Sequence, residues 1–156
     1  MKTSVKAGVT FGLTSGIITT LGLMVGLHSG THSQIVVLGG ILTIAVADAM
    51  SDALGMHVST EAEGHKSREV WEATLSTFAA KLFFALTFLV PVLLLELYTA
   101  IVASIVWGLS ALAVLSYFIA KQDGTSPTRV VGEHLAIAVV VIVVTHFVGE
   151  WVATLM

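Results

Sequence analysis

Charge is scarce in this chain: only 11% of its 156 residues are Asp, Glu, Lys or Arg, where a soluble globular domain carries about a quarter. That shortage excludes a soluble enzyme, a nucleic-acid binder and a disordered tail. Seven basic residues against ten acidic ones give a net charge of −3, so no basic patch awaits a phosphate backbone. Cysteine is absent, which removes disulfides, thiolate metal sites and thiol nucleophiles. The phosphate loop, the HExxH helix and the GxSxG elbow are also missing, and nothing in the sequence argues for an enzyme or a bound cofactor.

What is present is apolar. Hydrophobic residues make up 56% of the chain and the mean hydropathy is +0.96. Crossing about 30 Å of hydrocarbon at 1.5 Å per residue takes roughly 20 residues. Five stretches qualify, approximately 6–27, 34–57, 74–95, 99–120 and 131–153. Period-two alternation is missing from all of them, which disfavours a membrane barrel. The expected fold is therefore an all-α polytopic membrane protein: one transmembrane domain spanning 1–156, five helices and short connectors. The first stretch has glycines throughout and no clean small-residue cleavage site, so it is read as a retained helix.

Orientation follows from the basic residues. Lys2 and Lys6 precede span one, Lys66 and Arg68 separate spans two and three, and Lys121 and Arg129 separate spans four and five. All six fall on one side, which places that side and the N-terminus in the cytosol. Lys81 is the exception, about two turns inside span three. It either snorkels toward the cytosol or pairs with an acid.

Span two places Asp48 and Asp52 inside an apolar helix, where each aspartate costs about 2.5 to 3.5 kcal/mol at mid-membrane by insertion scales. An intramembrane acid is a functional candidate by default. At about 100° per residue, Asp48, Asp52, Met56, Ser59 and Glu63 form one stripe from mid-membrane to the cytosolic mouth. Hard oxygens with one thioether suit a late first-row divalent metal better than calcium alone. His57 and Glu61 fall on the opposite side of this helix, and His57 reads as packed or interfacial. Gly8, Gly12 and Gly16, four apart on span one, form a small-residue face for close helix packing, within the chain or against a second subunit. The hydroxyls of Thr14, Ser15, Thr19 and Thr20 lie at the depth of Asp52 and Met56, although such groups usually bond their own backbone. At the outward end, His146 and Glu150 are four apart on span five and His28 and His32 flank the first turn, a combination suited to an exit site or to interfacial anchoring.

The run TSGIITTLGLMVGLHSG, from Thr14 to Gly30, resembles the first-helix signature of the vacuolar iron transporter family, where a serine and an aspartate precede a glycine and a TTLGLVAGL-like run. AVADAMSDALGMHVSTEAEG resembles that family's second helix, in which an acid is followed eight positions later by methionine, a spacing kept by Asp48 and Met56. The resemblance implies five helices with an inside N-terminus, a homodimer, and movement of Fe²⁺ or Mn²⁺ out of the cytosol with proton exchange as the proposed driving force. It carries Asp48 and Met56 over as intramembrane ligands. Ser15 stands where the family has its first-helix aspartate, and Asp52 where it usually has a small residue, as though a carboxylate had moved between helices. Members with a cytosolic helical metal-binding domain insert acids and methionines between helices two and three; here only EAEGHKSREVWEA remains, which makes this a reduced member.

The expected function is export of Fe²⁺ or Mn²⁺ past Glu63 and Glu61 to Asp48, Asp52 and Met56 opposite Ser15. Two ionised aspartates one turn apart repel each other, so proton uptake by Asp48 and Asp52 offers a route to exchange. The expected partners are the metal, the bilayer and a second copy, with no nucleic acid. The membrane is the plasma membrane in a prokaryote and the vacuolar membrane in a eukaryote. A second reading is a non-transporting membrane assembly or metal-sensing subunit, in which the acids hold Lys81; pairing of Lys81 with either aspartate weighs toward it. A third is carriage of another small cation or a proton-coupled solute, against which the thioether of Met56 argues mildly.

Overall fold

A computed structural model describes residues 2–155. The elements are α1 (Thr3–Thr31), α2 (Gln34–Ala62), α3 (Ser67–Thr87), α4 (Leu89–Leu94), α5 (Leu97–Gln122) and α6 (Pro127–Ala153). Among the described residues there is no strand. Five helices are long and apolar enough to cross a membrane, with α3 and α4 together forming the third. The helices outrun the expected spans, most clearly in α1 and α2 at 29 residues each. At 1.5 Å per residue that is roughly 43 Å, longer than the hydrocarbon and long enough to reach through the headgroups.

The break between α3 and α4 falls at Phe88, three residues before Pro91. Proline at 91 has no N–H to return to the Thr87 carbonyl, and its ring crowds that carbonyl. The Phe88 amide turns instead to Ala85 O, 3.2 Å away, and the Thr87 hydroxyl donates to Phe84 O while accepting from Trp107 Nε1. Other connections are tight. α1 ends on His32 in the left-handed region at φ 49°, and the α2–α3 and α5–α6 turns use Gly64 and Gly124 at φ 77° and 67°, a backbone that glycine adopts without steric cost. Glu96 caps α5 by accepting from the Thr99 amide and hydroxyl, and those donors hold its carboxyl below the usual carboxylate range.

Ion pairs tie the connectors into two ends. Lys2 reaches Glu72 and Lys6 reaches Asp123, so the start of α1, the α2–α3 turn and the α5–α6 turn share one end. The six basic residues Lys2, Lys6, Lys66, Arg68, Lys121 and Arg129 therefore gather there. At the opposite end Gln34 donates to Val92 O and Ser29 meets His146.

α1 is the central helix, packed on α2, α3, α5 and α6. Two glycine faces allow this. Ideal Cβ atoms on Gly8 and Gly12 would lie 2.4 Å from Ala73 O and 2.5 Å from Thr77 O of α3, so the backbone contact leaves no room for a methyl group. The small-residue face thus meets α3 of its own chain. Further along, Gly22, Gly26 and Gly30 face Val141, Thr145 and Gly149 of α6, and a Cβ on Gly149 would lie 2.2 Å from Gly26 O. Between the two faces, Ile17, Leu21, Met24 and Val25 enter an apolar core with Val37, Ile41, Phe88 and Leu112.

Gly12→Ala and Gly149→Ala are expected to destabilise the bundle by about 1–3 kcal/mol each through overpacking. Gly132→Ala, whose methyl group meets nothing, is expected to be neutral or to stabilise by up to about 1 kcal/mol through helix propensity. Chemical unfolding in mixed micelles reads both, and equal midpoints for all three variants would contradict the close-contact account.

Candidate functional site

Just N-terminal of the apolar core, three helices bring charge together. α3 supplies Lys81, 1% exposed and the largest fully buried side chain. α2 supplies Asp48 and Asp52, one turn apart. α1 supplies Ser15. The Lys81 Nζ lies 2.5 Å from Asp48 Oδ2 and 2.5 Å from Asp52 Oδ2, and donates to Ser15 Oγ at 2.8 Å. An ammonium has three donors and no acceptor, and three oxygens surround this one. Gly16 packs closely on the lysine stem, since its ideal Cβ would sit 3.3 Å from Lys81 Cγ.

The two aspartates are not equivalent. Asp52 Oδ2 accepts an aligned hydrogen bond from Lys81. Asp48 Oδ2 is buried and near the ammonium but lacks a hydrogen bond of acceptable angle, so its attraction is Coulombic. The Asp48 side chain is 27% exposed against 19% for Asp52. It opens into a lateral groove of about 720 Å³ between α1 and α2, lined also by Thr19, Thr43, Ser51 and the apolar Leu23 and Leu27. One ammonium against two carboxylates leaves the centre, fully ionised, with one net negative charge. Each ion costs several kcal/mol to bury, and mutual attraction offsets this only with good geometry and satisfied hydrogen bonds.

Met56, Ser59 and Glu63 continue the α2 stripe toward the N-terminal end, where they line a cavity of about 810 Å³ with Glu69 and Glu72. Ser59 donates to Glu63 at 3.4 Å, and His65 lies 3.4 Å from both Glu63 and Glu69. Glu61 is exposed and does not line this cavity. His57, across the helix, is packed: Nδ1 lies 3.0 Å from Thr74 Oγ1 and the ring meets Trp71 edge-on. Thr14 and Thr19 donate to Thr10 O and Ser15 O of their own helix. At the opposite end, His146 Nδ1 lies 2.6 Å from Ser29 Oγ, His146 Nε2 lies 3.4 Å from Glu150, and the His28 and His32 rings are 5.3 Å apart. Among the described residues, no three His, Asp or Glu side chains converge as a ready metal site.

Sequence reasoning left Lys81 open between the interface and an acid, and the structure gives it to both aspartates. The α1–α6 contact escaped it, although Gly22, Gly26 and Gly30 repeat the spacing of Gly8, Gly12 and Gly16. No protein-family model, curated protein or solved structure matches this chain.

Because only Asp52 holds an aligned charge-assisted bond, Asp52→Asn is expected to destabilise the folded protein more than Asp48→Asn, by about 1 kcal/mol or more. Lys81→Met and Asp52→Asn are expected to couple by at least about 1 kcal/mol in a double-mutant cycle, read by unfolding in mixed micelles. Additive effects would mean that the pair does not act as a unit.

Proposed function

We propose that this protein is a homodimeric membrane carrier that moves a divalent transition metal, Fe²⁺ or Mn²⁺, out of the cytosol, with protons moving the other way. The observation that carries this reading is the pair of carboxylates, Asp48 and Asp52, held within a bundle of membrane-length helices between a groove and a cavity. Acids at that depth are costly, and cation pathways are where membrane proteins keep them. The positive-inside rule assigns the N-terminal end, with its six basic residues, to the cytosol. Metal then meets Glu63, Ser59 and the Met56 thioether before reaching Asp52 and Asp48, with Ser15 as a further oxygen; Glu61 contributes only negative charge near the mouth. Oxygen and thioether donors together favour a late first-row divalent ion. His28, His32, His146 and Glu150 stand where the ion leaves. The lateral opening at Asp48 supports a dimer, because a carboxylate and hydroxyls facing sideways at membrane depth are satisfied by protein or water and not by lipid tails. A second copy across the α1–α2 groove supplies that cover.

One observation favours a second reading. Lys81 pairs with both aspartates, as it would in a non-transporting assembly or metal-sensing subunit whose ion cluster only fastens helices.

Anaerobic Fe²⁺ and Mn²⁺ flux into proteoliposomes holding an internal pH dye separates the two. The expected result is metal uptake with opposing proton movement, reduced at least about tenfold, equivalent to about 1.4 kcal/mol, by Asp48→Ala and also lowered by Asp52→Ala and Met56→Ala. Uptake without proton movement would keep the carrier and remove the exchange. Absence of uptake of either metal, in vesicles containing folded protein, would sink the carrier reading and leave the assembly.

A further inference from the structure

The Lys81 ammonium sits where a cargo cation would. Its nitrogen is 2.5 Å from one oxygen of each aspartate and 2.8 Å from the Ser15 hydroxyl, so these oxygens already form a cation cage around a positive charge. That charge cannot leave, since it is tethered to α3 by a four-carbon stem packed against Gly16. Asp48 lacks an aligned bond and opens to the groove, whereas Asp52 holds one. One helical turn beyond Gly16, on the same face of α1, Thr20 carries a buried hydroxyl oxygen with no partner.

We infer that Lys81 is a tethered competitor for the cargo and sets the valence the centre accepts. The inference rests on the carrier reading and adds to it a selectivity residue. Exchanging one unit positive charge for another between the same two carboxylates gains no Coulomb energy, so a monovalent cation has no advantage over the resident ammonium. A divalent ion at the same position interacts twice as strongly with each carboxylate and displaces it. The ammonium returns when the metal leaves, which keeps the emptied aspartates paired and shortens the residence of the ion. Lys81 thus exchanges affinity for turnover and excludes Na⁺ and K⁺ without a size filter.

The test measures Mn²⁺ binding by the electron paramagnetic resonance signal of the free ion, and Mn²⁺ flux in proteoliposomes, for wild type, Lys81→Met and Lys81→Arg. In Lys81→Met the competitor is gone: Mn²⁺ is expected to bind about tenfold tighter or more, maximal flux to fall, and Na⁺ to begin to inhibit. In Lys81→Arg a planar fork grips two carboxylates more firmly than an ammonium does, so the Mn²⁺ KM is expected to rise several-fold while membrane insertion is kept. A purely structural lysine predicts weaker binding in Lys81→Met and an unchanged KM in Lys81→Arg, and that pattern would overturn the inference. Should Lys81→Met fail to fold, the Lys81→Arg KM decides alone. A wild type that transports Mn²⁺ while neither variant shifts its affinity removes the competitor and leaves the carrier. A wild type that neither binds nor moves Mn²⁺ removes the competitor, and one that moves no Fe²⁺ either removes the carrier as well.

Discussion

A lysine with 1% of its surface exposed, in the middle of an apolar bundle, is the constraint on which the arrangement of the first three helices depends. Burying Lys81 alone would be prohibitive, and burying Asp48 and Asp52 alone would place two like charges one turn apart in a poor solvent for either. Together with Ser15 they fix α1, α2 and α3 at one depth and in one rotation. A turn of slip along α2 would leave one carboxylate beside Nζ and strand the other in the apolar bundle without its counter-charge. The apolar core cannot supply that specificity, because the flanking lipid is as apolar as its side chains and packing alone leaves register weakly determined.

Backbone proximity is the second requirement. A lysine rooted on α3 reaches acids on α2 and a hydroxyl on α1 only if all three axes are close, and Gly8, Gly12 and Gly16 bring α1 onto α3 within carbonyl contact. The same device repeats toward the other end, where Gly22, Gly26 and Gly30 bring α1 onto α6. The central helix therefore presents glycine on one face for the polar half and on another for the apolar half. Its buried larger residues, Ile17, Leu21, Met24 and Val25, lie between them.

The number of membrane-length helices was legible from the sequence because it follows from local composition: runs of apolar residues long enough to cross, with basic residues marking one set of ends. The prominence of Asp48 and Asp52 was equally legible, since an acid in an apolar helix is conspicuous without any partner in view. Partner choice was not. Lys81 is 29 and 33 residues from the two aspartates, and nothing local distinguishes a lysine that snorkels along α3 from one that turns inward; the decision belongs to the depth at which α2 crosses α3. Faces of a single helix, by contrast, follow from local spacing. Helical periodicity put Met56 on the acid stripe and Glu61 across from it, and the cavity at the N-terminal end includes the first and leaves out the second. The expected span 74–95 was uninterrupted; the break at Phe88 comes from Pro91, and its effect on the Thr87 carbonyl and Trp107 depends on α5 packing alongside.

The contacts differ in how they respond to what occupies the centre. The α1–α3 and α1–α6 contacts are built on glycine against backbone carbonyls, and a change in charge nearby leaves such packing untouched. α2 is joined differently. Gly40 meets only the side chains of Leu23 and Leu27, and Gly39 and Gly55 meet nothing. Its other ties to α1 and α3 are the buried Val37, Ile41, Ala45, Ala49 and Ala53, the contact of His57 with Thr74 and Trp71, and the two aspartates held by Lys81. Electrostatic interaction in a low-dielectric interior is strong at these distances, so a second cation bound at Asp48 would repel the ammonium while attracting the acid. Of the contacts that join α2 to α3, the ion cluster is therefore the one most sensitive to a bound cation, while the glycine-packed frame of α1, α3 and α6 is indifferent to it.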